Sequence, residues 1–345
     1  MFQGLHIRGW SYGRWIPSFS LLVISCLVVN QNVVSGADEF RDSVRRAVER
    51  GLTVLERGAR AYPSHQSCFS CHHQTLPMLA MATAKDVSLR FDVELFREQR
   101  NFTHKSFDER KTRLARGEHV GGRAATVSYG LWAMHIAQDP TDEVGEAMAE
   151  YLLSVQEPDG RWKPPSNRPP LEVSAVSCTV LSAIGVKRFA GNTQKVRVNE
   201  AISRAMNWLA TAALDEQEDL NFALWGEVLL GGSKDRISTL RDKVLAARQV
   251  DGGWSQNKTL TSDAYATGQT LFVLAEAGFP VQEAAYREGV AFLLGTQTER
   301  GSWHVTSRSK PIQPWFDNGD PHDKDQFISI AATGWATAAL AKSLR

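Results

Sequence analysis

Gln156-Glu157-Pro158-Asp159-Gly160-Arg161-Trp162 returns as Gln249-Val250-Asp251-Gly252-Gly253-Trp254 and again as Gln297-Thr298-Glu299-Arg300-Gly301-Ser302-Trp303. Trp162 and Trp254 stand 92 positions apart, Trp254 and Trp303 stand 49 apart. The first interval therefore holds two units of the second, and a degenerate copy is expected in between. Residues 201–214 followed by 222–230 supply its two helix-like runs without the turn motif. Each unit has the same layout. A helix-like run precedes the motif (146–155, 237–248, 282–296), a polar loop follows, and an apolar helix rich in Ala, Ser, Thr and Gly comes next (173–186, 264–277, 328–344). Gly after a helix supplies the left-handed residue that ends it. No sustained alternation of apolar and polar residues marks a strand. The sequence predicts an all-α chain of helical hairpins.

Upstream, the same frame holds. Residues 42–62 predict a helix with the apolar stripe Val44, Ala47, Leu52 and Leu55, and 76–84 predict a small-residue helix. A further pair is expected at 91–100 and 124–136, which makes about six hairpins. The mixed charges of 105–116 read as a solvated face or loop. The run from Trp162 to Pro170, with two Pro-Pro pairs, reads as a stiff loop inside a repeat and not a domain linker.

Between the first two helices lies Cys68-Phe69-Ser70-Cys71-His72, where the other units carry their tryptophan turn. Two cysteines separated by two residues and followed at once by histidine form the attachment signature of a c-type haem. Each thiol adds to one vinyl group of the porphyrin, and on a helical turn positions i and i+3 share a face. His72 is then the expected proximal iron ligand. For the sixth iron position Met78 and His73 are candidates, with Met81 and His65; core packing is the competing role of the methionines, and an open site remains a further alternative. Cys68 and Cys71 as a redox disulfide, or with His72 and His73 as zinc ligands, are the rival readings. The first lacks a preceding strand and the second lacks another ligand pair at finger spacing.

The N-terminus reads as a cleavable signal peptide over 1–37. Arg8 and Arg14 precede a short apolar run, 19–29, and Ser35-Gly36-Ala37 offers small residues for cleavage. An uncleaved anchor, or lipid attachment at Cys26, are the alternatives. The domain expected after cleavage is 38–345, in an extracytoplasmic, periplasmic setting. It keeps Cys68, Cys71 and Cys178, an odd number that argues against a disulfide framework; Cys178 reads as a core residue. A net charge of +1 gives no bulk field for nucleic acid, and no segment after 37 is apolar enough to span a bilayer.

With its three Gln…Gly-x-Trp-like turns and the small-residue helices behind them, the sequence resembles the prenyltransferase and squalene-cyclase repeat family over 38–345, most clearly from Gln156 onward. The resemblance implies an α/α toroid, with inner helices around a central cavity and outer helices around those. It carries the family's catalytic residues over poorly. Squalene-hopene-type cyclases use an Asp-x-Asp-Asp-Thr-Ala acid at the start of an inner helix, and the matching stretch Thr261-Ser262-Asp263-Ala264-Tyr265-Ala266 keeps Asp263 alone. Protein prenyltransferases hold zinc with an Asp-x-Cys pair; here Tyr265 replaces the cysteine, so no zinc is expected.

In the last repeat, by the same logic, Asp325 takes a cavity-rim position like that of Asp263. His322 with Asp325 is a candidate base and orienter, or metal pair; helix capping is the competing role of both aspartates. The expected function is an exported c-type haem protein in electron transfer or redox sensing, with a redox partner protein. The alternatives are an enzyme or binder acting on an apolar or isoprenoid ligand in the toroid cavity, and a non-catalytic scaffold.

Overall fold

The computed structural model describes residues 20–311 and 314–345, with side chains from Asp38 onward outside that gap. The expected signal segment 1–37, its cleavage point and Cys26 lie outside the residues whose side chains are described. Contacts divide the chain at Asp42; the fold below is that of Ser43–Arg345.

All regular structure in the described residues is helical, apart from one isolated bridge between Arg168 and Glu172. The helices are α1 (Ser20–His65), α2 (Leu76–Asp86), α3 (Val93–Asp108), the short α4 (Lys111–Ala115), α5 (Arg123–Ile136), α6 (Glu143–Ser154) and α7 (Ala175–Phe189). They continue with α8 (Lys195–Thr211), α9 (Gln217–Leu230), α10 (Lys234–Ala246), α11 (Ala264–Glu276), α12 (Ala284–Thr296) and α13 (Gln326–Lys342). The stretch at 105–116, expected to be a solvated face or loop, is the end of α3 and all of α4.

The even-handed pattern of the repeat is visible in the packing. Inner helices α2, α5, α7, α9, α11 and α13 each touch the next, and α13 returns to α2, closing a ring. The outer helices α1, α3, α6, α8, α10 and α12 complete six hairpins. This is an α/α toroid. Side-chain oxygens start many helices: Asp92, Asp142, Ser174, Ser233 and Asp263 each accept a backbone N–H in the first turn. The predicted stripe Val44, Ala47, Leu52 and Leu55 is buried.

The tryptophan turns join inner to outer layer by one repeated bond set. The indole N–H of Trp162, Trp254 and Trp303 donates to Leu152, Val244 and Leu293 carbonyls in the preceding outer helix, at 2.7, 2.8 and 2.8 Å. The backbone N–H of the same tryptophans donates to Thr179, Thr267 and Thr333 hydroxyls of the following inner helix, at 2.9, 2.8 and 3.2 Å. All three indoles are fully buried. The glycine in each turn has positive φ: 98° at Gly160, 86° at Gly252 and 87° at Gly301. A Cβ there would also collide with the next outer helix, 2.6 Å from the Arg50 carbonyl oxygen in the case of Gly301. The Gln297 amide donates to the Ala47 carbonyl of α1 at 2.9 Å and so ties the last hairpin to the first.

The ring axis is filled. Trp132, Trp225, Phe272 and Trp335, from α5, α9, α11 and α13, meet ring to ring with centroids 5.2–5.7 Å apart. They sit roughly two and a half turns into their helices. Near its start, α9 carries the buried carboxyl of Glu218, which burial pushes up to about 7 against the pull of hydrogen bonds from Tyr265 and Gln269.

Two predictions follow from these contacts. Trp254→Phe removes the indole bond to the Val244 carbonyl, which keeps only the Ala247 N–H at 3.3 Å, and Thr267→Val strands the Trp254 N–H; each should cost about 1–3 kcal/mol, read from urea midpoints, and a loss within experimental error would contradict the clamp. Glu218 keeps a proton in the native state that the unfolded chain releases above 4.5. Its contribution to stability is present below that value and is lost as pH rises through about 7. Glu218→Gln should therefore gain on the wild type between pH 5 and 8, by up to about 3 kcal/mol, and a pH-independent difference in thermal midpoint would refute this.

Candidate functional site

A cavity of about 500 Å³ opens at the end of the ring where the inner helices begin. Cys68, Cys71 and His72 all line it. The two thiols do not share a helical face as the spacing suggested. Residues 66–70 are irregular, Ser70 is extended (φ −135°, ψ 127°), and Cys71–Thr75 forms a single π-helical turn leading into α2.

The cause is local. The Phe69 N–H donates to the Ser106 hydroxyl at 3.0 Å and its ring lies 5.3 Å from that of Phe107, which draws the chain against α3. The Ser70 N–H donates to Gln74 Oε1 at 2.8 Å, and Gln74 in turn donates to Gln99 at 3.1 Å. Thr75 donates to the Tyr129 carbonyl at 3.1 Å, fixing the turn to α5. Cys68 is exposed, 3.7 Å from the Tyr62 hydroxyl; Cys71 is buried, and both are free thiols.

Burial pushes the Cys71 thiol up to about 12, and the nearby Glu172 carboxylate adds to the rise. That is the opposite of the lowered value a nucleophilic or redox-exchanging cysteine needs. Burial also holds His72 down to about 4, with Arg168 lowering it and Glu172 opposing. Its imidazole is therefore neutral near pH 7, with a lone pair free to bind a metal. Ser70 Oγ lies 3.5 Å from His72 Nδ1.

The expected sixth ligands do not line the cavity. Met78 and Met81 are fully buried in α2. His73 is buried behind His72, stacked on Tyr62 at 4.5 Å, with Nδ1 3.3 Å from Ser70 Oγ and no partner at Nε2. His65 stacks on Phe316 at 4.8 Å.

Apolar walls come from Phe69, Phe107, Val120, Leu171, Pro311, Phe327, Ile328 and Trp315, the last 60% exposed at the mouth. Arg110, Arg168, Lys310 and Lys324 bring positive charge to the rim, and Glu172 pairs with Arg168. The sequence reading missed all of these. The ion pair flanks the Pro-Pro loop, so a charged residue on either side of that stiff turn was the available signal. The other basic side chains come from two repeats, Arg110 from one and Lys310 and Lys324 from the last, and show no sequence pattern. The last loop is pinned to three others across this end: Arg308 bonds Glu216 at 2.6 Å and Gln256 at 2.8 Å, and Ser309 donates to the Pro169 carbonyl at 2.8 Å.

Asp263, His322 and Asp325 stand apart from the cavity lining. Asp263 caps α11 through the Ala266 N–H at 2.9 Å and accepts from Gln256 at 2.9 Å. The expected His322–Asp325 hydrogen bond is not formed. Asp325 pairs with His304 at 2.8 Å and accepts the Ser307 N–H at 2.9 Å, while His322 Nε2 lies 2.9 Å from the Ser302 hydroxyl. Asp325 makes no side-chain capping bond to α13. It is spent on holding the loop after Trp303. The described residues contain no group of three or more His, Cys, Asp or Glu side chains placed to hold a metal ion.

The lining joins apolar rings, a basic rim, two thiols and the His72 imidazole around one space, a donor set that could hold a mostly apolar group with acidic substituents.

No family model matches the chain, and no curated protein matches it. Solved structures do. The type II terpene cyclase MstE from Scytonema, bound to merosterolic acid A, superposes with a TM-score of 0.56 at 16% identity, over 89% of this chain and 98% of that one. The unsaturated glucuronyl hydrolase of Bacillus sp. GL1 gives 0.54 at 16% identity, over 86% and 96%. A protein from Actinoplanes gives 0.55 at 15% identity, over 88% and 100%. Two of these carry different activities on one architecture, so at such identities the likeness is one of fold.

Proposed function

We propose that this chain is an exported haem protein that binds one c-type haem through thioether bonds at Cys68 and Cys71, with His72 as axial ligand. The observation that carries the reading is the convergence of both thiols and a neutral imidazole on one apolar cavity with a basic rim. The bound haem would supply one-electron redox chemistry, exchanged with a redox partner protein. The residues around it bind and orient: Ser70 positions the His72 ring, Phe107 and Phe327 wall the cavity, and Arg110 and Lys324 face acidic substituents. Such attachment is made outside the cytoplasm, which fits the signal segment expected at 1–37 and a periplasmic setting.

A second reading puts an apolar or isoprenoid ligand in the same cavity. The fold likeness to MstE, which has been solved with geranylgeranyl dihydroxybenzoate, favours it. The filled ring axis and the commitment of Asp263 to capping weigh against a cyclisation chamber.

Expression in a host competent for c-type haem maturation separates the two. The first reading expects red protein whose haem survives denaturing electrophoresis. Cys68→Ala with Cys71→Ala should lose the covalent haem, and His72→Ala should keep it with an altered absorption spectrum. Colourless wild-type protein that binds a geranylgeranyl compound would favour the second reading.

A further inference from the structure

The attachment turn leaves one side chain without a task. His73 is fully buried, and its Nε2 has no partner. Its Nδ1 lies 3.3 Å from Ser70 Oγ, and the Nδ1 of His72 lies 3.5 Å from the same oxygen. Ser70 is held in place by its own N–H, which donates to Gln74 Oε1 at 2.8 Å. One hydroxyl thus stands between two imidazoles. Burial keeps both rings neutral near pH 7, so each carries a single hydrogen on one of its two nitrogens.

A serine hydroxyl has one hydrogen to give. It bonds both rings, with that hydrogen in use, when one Nδ1 donates to it and the other accepts from it. Two directions satisfy this. With His73 as the donor, the His72 hydrogen sits on Nε2 and closes that nitrogen to a ligand. With His72 as the donor, its Nε2 keeps a free lone pair, and the His73 hydrogen sits on Nε2. The surroundings of His73 favour the second direction. Its ring stacks on Tyr62 at 4.5 Å and meets the Phe327 ring at 5.8 Å with the planes at 85°. An N–H at the edge of a ring is attracted to an aromatic face, and a lone pair there is not. A histidine that binds a metal also characteristically donates its other N–H to a fixed acceptor.

We propose that His73 is a positioning residue: through the Ser70 hydroxyl it fixes the hydrogen of His72 on Nδ1 and leaves the His72 Nε2 lone pair open for ligation; this rests on the haem reading above. The chain runs from the His72 N–H to the Ser70 oxygen, and from the Ser70 O–H to His73 Nδ1. The second histidine of the pair thus acts behind the axial ligand and not as one.

Two-bond proton–nitrogen correlation spectra of the full-length, haem-free chain, labelled with nitrogen-15 at histidine and kept reduced, read the tautomer of each ring near neutral pH. The wild type shows the His72 hydrogen on Nδ1 and the His73 hydrogen on Nε2. His73→Phe keeps a ring between Tyr62 and Phe327 but removes the acceptor. Ser70 then donates to His72, and the His72 hydrogen moves to Nε2; a His73 that only filled space would leave it where it was. Ser70→Ala moves it likewise, to the form that histidine favours in water, and Ser70→Thr, which restores the hydroxyl, returns it to Nδ1. The serine pair decides the matter should His73→Phe not fold. A wild-type His72 hydrogen on Nε2, a wild-type His73 hydrogen on Nδ1, or a His72 tautomer unmoved in either His73→Phe or Ser70→Ala overturns the proposal while leaving haem attachment intact. Colourless protein from the maturation-competent host overturns the haem reading, and the ligation role with it, whatever the tautomers.

Discussion

The indole clamp of the repeat turn is the contact on which the ring depends. Each of Trp162, Trp254 and Trp303 is hydrogen-bonded by its side chain to the helix before it and by its backbone to the helix after it. One residue thus fixes both the spacing of inner and outer layers and the direction in which the chain enters the inner helix. The glycine two residues before it must take positive φ and admit the next outer helix at backbone distance. Buried indole and carbonyl are paired with each other, so neither layer can slide without stranding a polar group.

The first hairpin gives up that clamp. Where the turns of the third, fifth and sixth hairpins place Gly and Trp, it places Cys68, Ser70, Cys71 and His72, held by Ser106, Gln74, Gln99 and the Tyr129 carbonyl. The hydrogen bonds that fasten the turn come from polar side chains of neighbouring helices instead of an indole. That exchange leaves both thiols and the imidazole facing the open end of the ring, beside loops pinned by Arg308 and Ser309. Further in, Trp132, Trp225, Phe272 and Trp335 close the axis. A ligand is thereby confined to the mouth.

Much of this was legible in the sequence. The 49-residue spacing and the small-residue helices predicted six hairpins, and six are found, including the degenerate copy at α8 and α9 that lacks the turn motif. The Cys68–His72 run was placed in a turn, which is where it lies. Local geometry was not legible, because a π-helical turn and an extended Ser70 depend on partners in α3 and α5 that are distant in sequence. The pairing of Asp325 failed for a similar reason: His322 is three residues away, but His304, across the loop, reaches the carboxylate. The basic rim was invisible because Arg110 and Arg168 come from two repeats and Lys310 and Lys324, 14 positions apart, from a third, so that they meet only when the ring closes.

The most direct test of the account is the intact mass of the purified, denatured protein made in a host competent for c-type haem maturation, with fragment masses to locate any adduct. The account predicts a mass increased by one haem, carried by the peptide that contains Cys68 and Cys71. An unmodified chain with both thiols free would contradict it.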